Sequence, residues 1–125
     1  MNPQRGSRGK GRGPGGCEVD MTECRVVLMT CGSEEEAGKI AEALVMENLA
    51  ACVNIVPKVT SVYRWKGEVC RDAEVLLIAK TRETHLASLE GRVKALHSYD
   101  VAEVIVLPIV AGSREYLDWV GEVCP

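Results

Sequence analysis

Two short runs, Val75-Leu76-Leu77-Ile78-Ala79 and Val104-Ile105-Val106-Leu107, are apolar at every position. Successive residues of a strand point to opposite faces, so such runs need cover on both sides, whereas a sheet with one wet face alternates apolar and polar residues. Two helical segments also read from the sequence, and they can cover only one face. Little chain is left for the other, so further copies of the same chain are the simplest cover. An oligomer is expected on packing grounds alone.

The remaining elements follow from local signals. Arg25–Met29 reads as a first strand, ended by Gly32. Ser33 then opens a helix as the first residue of a Ser-x-x-Glu capping box with Glu36, and Glu34, Glu35 and Glu36 favour the positive end of the helix dipole. Ala37, Ile40, Ala41, Leu44 and Val45 form its apolar stripe, and Asn48 stops it. From Ala51 the period becomes two, with Val59, Ser61, Tyr63 and Trp65 on one strand face. Pro57 predicts a bend or an edge, and Lys66-Gly67 a turn into a returning strand from Val69 to Thr81. A second helix is predicted over Arg82–Leu96, where the small size of Gly91 suggests close packing, and His85 near its start reads as exposed. Val101–Val110 reads as the fourth strand, and Ser113 caps a short final helix carrying Tyr116, Leu117, Trp119 and Val120. The order β-α-β-β-α-β with a terminal helix is the ferredoxin-like α+β arrangement.

A chain of 125 residues that is 46% hydrophobic holds one domain with a real core. No apolar run approaches the roughly 18 residues of a bilayer span, and no signal-peptide core is present, so a soluble, cytoplasmic protein without membrane contact is expected. Residues 1–20 are rich in Gly and Arg, have almost nothing apolar to bury, and carry +2 of the net −3, leaving −5 for the rest. They read as a disordered tail, with Met21 an alternative start, and 21–125 as the folded domain. The acidic domain argues against nucleic acid as its partner. The six cysteines (Cys17, Cys24, Cys31, Cys52, Cys70, Cys124) contain no Cys-x-x-Cys pair, so neither a zinc knuckle nor a redox dithiol is indicated.

Specific residues carry a closer likeness. Ala51-Cys52-Val53-Asn54-Ile55, then Ser61, Tyr63, Trp65 and Gly67, then Glu74, Leu77, Lys80 and Thr81 fall in order. His97, Tyr99, Asp100, Glu103, Tyr116, Leu117 and Trp119 complete the series. In this pattern, from about Val26 to Trp119, the chain resembles the CutA family of divalent-cation tolerance proteins. The resemblance implies a homotrimer similar in architecture to the PII signalling proteins, associated with copper and other divalent cations, and not an enzyme. Ser98 and Ala102 stand where the family has prolines, so a looser loop around His97 and Glu103 is expected. A family cysteine ligand on the first strand matches Met29 here, with Cys31 two residues on.

Imidazole, thiolate and carboxylate suit copper or zinc-like ions. The metal-ligand candidates are therefore His97, Cys31, Cys52 and Glu103. His97 reads equally well as a residue that hydrogen-bonds across a subunit boundary, and Cys52 as a structural residue in a tight strand. Tyr63, Trp65, Glu74, Lys80, Tyr99 and Trp119 are candidates for a polar cleft between subunits, where Lys80 would meet a small anion, although no Gly-rich phosphate loop accompanies it. No nucleophile lies beside a base, which argues against an enzyme. The leading reading is a trimer that binds divalent metal, copper first. A PII-like trimer sensing a small ligand, or a non-catalytic trimeric scaffold, are the alternatives.

Overall fold

The computed structural model describes residues 23–125. The tail expected over 1–20, and the alternative start at Met21, lie outside the described residues. The elements are β1 (Cys24–Cys31), α1 (Glu34–Met46), β2 (Cys52–Trp65), β3 (Glu68–Arg82), α2 (Leu86–Leu96), β4 (Val104–Pro108) and α3 (Arg114–Val123). The four strands form one antiparallel sheet in the order β2-β3-β1-β4. The crossover β1-α1-β2 leaves a gap that β3 later fills, and β3-α2-β4 passes over β1. The fold is the expected ferredoxin-like α+β arrangement.

Local chemistry sets the element ends. Ser33 Oγ accepts from the Glu36 amide at 3.1 Å and caps α1. Asn48 takes φ 59°, the left-handed conformation that ends a helix. Lys66 and Gly67 take φ 51° and 83°, the pair of positive values of a type I′ hairpin turn. Beside Pro57 the ladder shifts register between Val56 and Val59, with Lys58 at φ 62°, so the expected bend is a β-bulge. Ser113 Oγ accepts from the Tyr116 amide and caps α3.

Both helices cover one sheet face. Val27, Met29 and Cys31 of β1, and Val75, Leu77 and Ala79 of β3, meet Ile40, Ala41, Leu44, Leu89 and Val93 in the main core. A second cluster under α3 joins Cys24, Ala51, Leu117, Val120 and Cys124. The alternate residues of the same strands point the other way. Register places Leu28 beside Ile78 and Ile105, and Val26 beside Leu107, on this helix-free face. Ile105 and Leu107 are 47% and 43% exposed. Within one chain α1 and α2 leave this second face uncovered, and α3 reaches only its Cys24 end.

Four expectations need correction. The last strand is shorter than Val101–Val110, because 101–103 forms an irregular segment leading into Val104. The second helix does not begin at Arg82. That residue ends β3 in extended conformation, tied by its guanidinium to Glu23 at 2.7 Å, and a 3₁₀ turn (Glu83–His85) precedes α2. Gly91 serves no close packing, since a Cβ there would meet nothing within 4 Å. His85 is not simply exposed: its Nε2 lies 3.1 Å from the Cys124 carbonyl and 2.8 Å from that of Pro125, fastening the end of α3.

Candidate functional site

The segment from His97 to Glu103 leaves α2 and turns toward the end of β1. The His97 amide donates to Val93 O at 2.9 Å, closing the helix, while its backbone turns extended. Its side chain is 1% exposed. Nε2 lies 2.6 Å from Thr30 O, and Nδ1 accepts from the Tyr99 amide at 3.0 Å. With an N–H aimed at Nδ1, the ring proton belongs on Nε2, which donates to Thr30 O. The ring also packs against Tyr99 at 4.7 Å between centroids. Glu103 reaches the same residue from the far end of the segment, its Oε1 accepting from Thr30 Oγ1 at 3.4 Å.

Glu36 fastens the loop. The second half of the capping box is not its main use. Its carboxylate accepts instead from the Ser98 amide at 2.7 Å and from Ser98 Oγ at 3.1 Å. Ser98 replaces the ring constraint of proline with two hydrogen bonds that a proline could not donate. The looser loop expected here is tied to α1.

Beyond this loop, the helix-free face carries a cavity of about 620 Å³. Tyr63 and Trp65 of β2, Asp72 and Glu74 of β3, and Tyr99, Asp100 and Glu103 of the loop line it, with Thr30 at its base. Register across the hairpin explains the gathering, because Ser61 faces Asp72 and Val59 faces Glu74 on one side of the sheet. The Tyr63 hydroxyl donates to Asp72, and that bond pushes its pKa up to about 12. The Tyr99 hydroxyl donates to Glu74 at 3.0 Å; partial burial first, then this bond, raise its pKa to about 12. Gly32 makes room for the second pair, since a Cβ there would lie 3.2 Å from the Tyr99 hydroxyl oxygen.

The structure therefore brings four of the six cleft candidates together: Tyr63, Trp65, Glu74 and Tyr99. It places the other two elsewhere. Lys80 lies six residues beyond Glu74, about 20 Å along β3, with its amine on Asn54. Trp119 packs on Tyr116 at 5.5 Å beside the α3 cluster. Asp72, Thr30, Gly32 and Glu36 join the site without having been singled out for it, and Asp100 joins it from the motif series. The alternation that put Ser61 and Tyr63 on one face was the one sequence signal that pointed to Asp72.

The metal candidates separate in the same way. His97 and Glu103 meet at Thr30, as described. Cys31 is fully buried on the core side with Met29, its thiol pushed up by burial and donating to Ser33 O at 3.4 Å. Cys52 pairs with Lys80, and Lys80 with Val26, so it sits five residues along the sheet from the Cys31 end, about 17 Å away. Among the described residues no three His, Cys, Asp or Glu side chains stand close enough to hold a metal ion.

Comparison with known proteins identifies the lineage. Residues 25–123 match the family described as "CutA1 divalent ion tolerance protein". The chain belongs to the CutA1 family. The divalent-cation tolerance protein CutA of Thermus thermophilus is 60% identical over 97 residues, spanning 78% of this chain and 94% of that protein. Human Protein CutA is 46% identical over 96 residues, 77% of this chain but 54% of its own length. The chain thus spans nearly all of the Thermus relative and about half of the human one. Among solved CutA1 structures, that from Thermus thermophilus superposes with a TM-score of 0.80 at 57% identity, covering 82% of this chain and 99% of that one. The Oryza sativa CutA1 structure gives 0.81 at 48% identity, covering 85% and 98%. The family takes its name from divalent-ion tolerance, and this chain shares its fold and its motifs.

Proposed function

We propose that this protein is a cytoplasmic homotrimer that binds divalent cations, copper among them, in metal tolerance, and that it is not an enzyme. The observation that carries the metal reading is the meeting of His97 and Glu103 at Thr30. One short loop carries an imidazole and a carboxylate that contact Thr30, at its carbonyl and its hydroxyl respectively, and these are donor types that copper and zinc-like ions take. Binding through Nε2 would break its bond to Thr30 O, a cost of about 1 kcal/mol. Two donors leave the coordination incomplete, and a ligand from a second copy would complete it. The helix-free apolar face supports such an assembly, because leaving Ile105, Leu107 and their neighbours in water is unfavourable. Burial raises the Cys24, Cys31 and Cys124 thiols, which disfavours a nucleophilic thiolate. All five described cysteines are free, in keeping with a reducing compartment.

Native mass spectrometry of the purified protein, followed by calorimetric titration with copper, tests this reading. The expected result is a trimer that takes up copper, with weaker uptake in His97→Ala and Glu103→Gln and little change in Cys52→Ser. A monomer, or copper uptake lost in Cys52→Ser and kept in His97→Ala, would overturn it. A second reading, a trimer that senses a small molecule, is favoured by the cavity between the hairpin and the loop.

A further inference from the structure

The buried ring of His97 holds its proton where neither nitrogen can serve a cation. Nε2 donates to Thr30 O at 2.6 Å, and the Nδ1 lone pair accepts from the Tyr99 amide at 3.0 Å. Coordination through Nε2 requires that this nitrogen lose its proton. The ring stays neutral if the proton on Nε2 is released to solvent and another is taken up at Nδ1. A buried Nδ1–H then needs an acceptor beside it, because an unpaired donor away from water is unfavourable.

That acceptor is already in place. Glu36 Oε2 lies 3.5 Å from Nδ1, and the carboxylate is largely buried with the ring. Two bonds fix its position: Oε2 accepts from the Ser98 amide at 2.7 Å, and Oε1 from Ser98 Oγ at 3.1 Å. A carboxylate oxygen has two lone pairs, so Oε2 can take a second donor. With the proton on Nε2, two acceptors face each other across 3.5 Å; with the proton on Nδ1, they become donor and acceptor. The exchange costs the Tyr99 amide its bond to Nδ1 and gains a charge-assisted bond, which is the stronger kind. Every contact in this account is made within one chain, and none depends on exposure of the helix-free face.

We propose that Glu36 is a positioning residue for His97: its carboxylate accepts a hydrogen bond from Nδ1–H and so frees Nε2 for a divalent cation. The inference rests on the metal reading of His97. A carboxylate behind a ligating imidazole fixes its tautomer and raises its basicity, and removing such a partner weakens metal binding about 10–100-fold. Nitrogen-15 NMR of the full-length protein, labelled in histidine, tests it at neutral pH with and without zinc chloride, a diamagnetic probe. His97→Ala assigns the signals between the two histidines. Without metal the proton should reside on Nε2. At saturating zinc it should reside on Nδ1, with Nε2 coordinated. Glu36→Gln should weaken zinc about tenfold or more. Ser98→Ala loosens the loop but keeps the carboxylate, and should weaken zinc less. Zinc uptake with the proton still on Nε2 would overturn the inference while leaving the metal reading standing. Parent-like affinity in Glu36→Gln, or an equal loss in Ser98→Ala, would reduce Glu36 to a tether and overturn its positioning role. No zinc uptake by the parent would overturn the metal reading and this inference with it.

Discussion

Ser98 donates twice to Glu36, through its amide at 2.7 Å and its hydroxyl at 3.1 Å, across 62 residues of sequence. This contact moors the loop bearing His97, Tyr99 and Glu103 to the first turn of α1. Replacing Ser98 by proline, the residue its relatives' motif carries, would remove both donors. A hydrogen bond to a charged group contributes about 1.5–3 kcal/mol, against about 0.4–1 kcal/mol from a rigid ring in the unfolded chain. Both bonds are solvent-exposed, which discounts them, so Ser98→Pro should lower stability by at least about 1 kcal/mol in urea unfolding, and Glu36→Gln should lower it in the same direction. A more stable Ser98→Pro variant would show that rigidity outweighs the tether.

Gly32→Ala should disturb the cavity without unfolding the protein. The added methyl would meet the Tyr99 hydroxyl at 3.2 Å, so the ring must shift and its bond to Glu74 must weaken. Alkaline titration of phenolate absorbance should show one tyrosine of the variant moving down from about 12 toward its ordinary value of 10.0. An unchanged titration would mean that the loop yields instead.

Tyrosine protonation should also set the alkaline limit of stability. The folded-state pKa values of Tyr63, Tyr99 and Tyr116 are all raised from 10.0 to about 12. For a group whose folded pKa is raised, the folded state holds the proton more tightly, so its contribution is complete below pH 10 and is lost as pH climbs toward 12. The melting temperature should fall across that window, and less steeply in Tyr99→Phe. A melting temperature flat from pH 10 to 12 would contradict the raised values.

Leu77 is fully buried at the centre of the sheet, opposite Met29 and under both helices. Leu77→Ala should cost about 2–5 kcal/mol by urea unfolding, the range for a large cavity in a close-packed core. Ile78→Ala, one residue on and facing away from the helices, should cost much less in any isolated chain.

Ile105 reports on assembly. It is 47% exposed on the helix-free face, so Ile105→Glu leaves the main core intact while placing a charge where a second copy would pack. Light scattering should show the oligomer dissociating while the helical content of the chain survives. An unchanged mass would mean that copies meet elsewhere.

His85 ties the chain's end to the body through the carbonyls of Cys124 and Pro125. Its sequence position gave no hint of this, because both partners lie about 40 residues away. The same limit runs through the whole site. Ser33, Asn48 and the Lys66-Gly67 turn were legible because caps and turns depend on neighbouring backbone, and the alternation of Ser61, Tyr63 and Trp65 along β2 because strand period is local. The doubly apolar strands also told, from sequence alone, that one chain cannot cover its own sheet. Thr30 with Glu103, Tyr99 with Glu74 and Ser98 with Glu36 are separated by 73, 25 and 62 residues, and no local signal joins them. Sequence supplied the residue types and the faces they occupy. The folding of the 97–103 loop onto the helix-free side decided which of them meet, leaving Lys80, Cys52 and Trp119 outside and bringing four carboxyl groups around three aromatic rings.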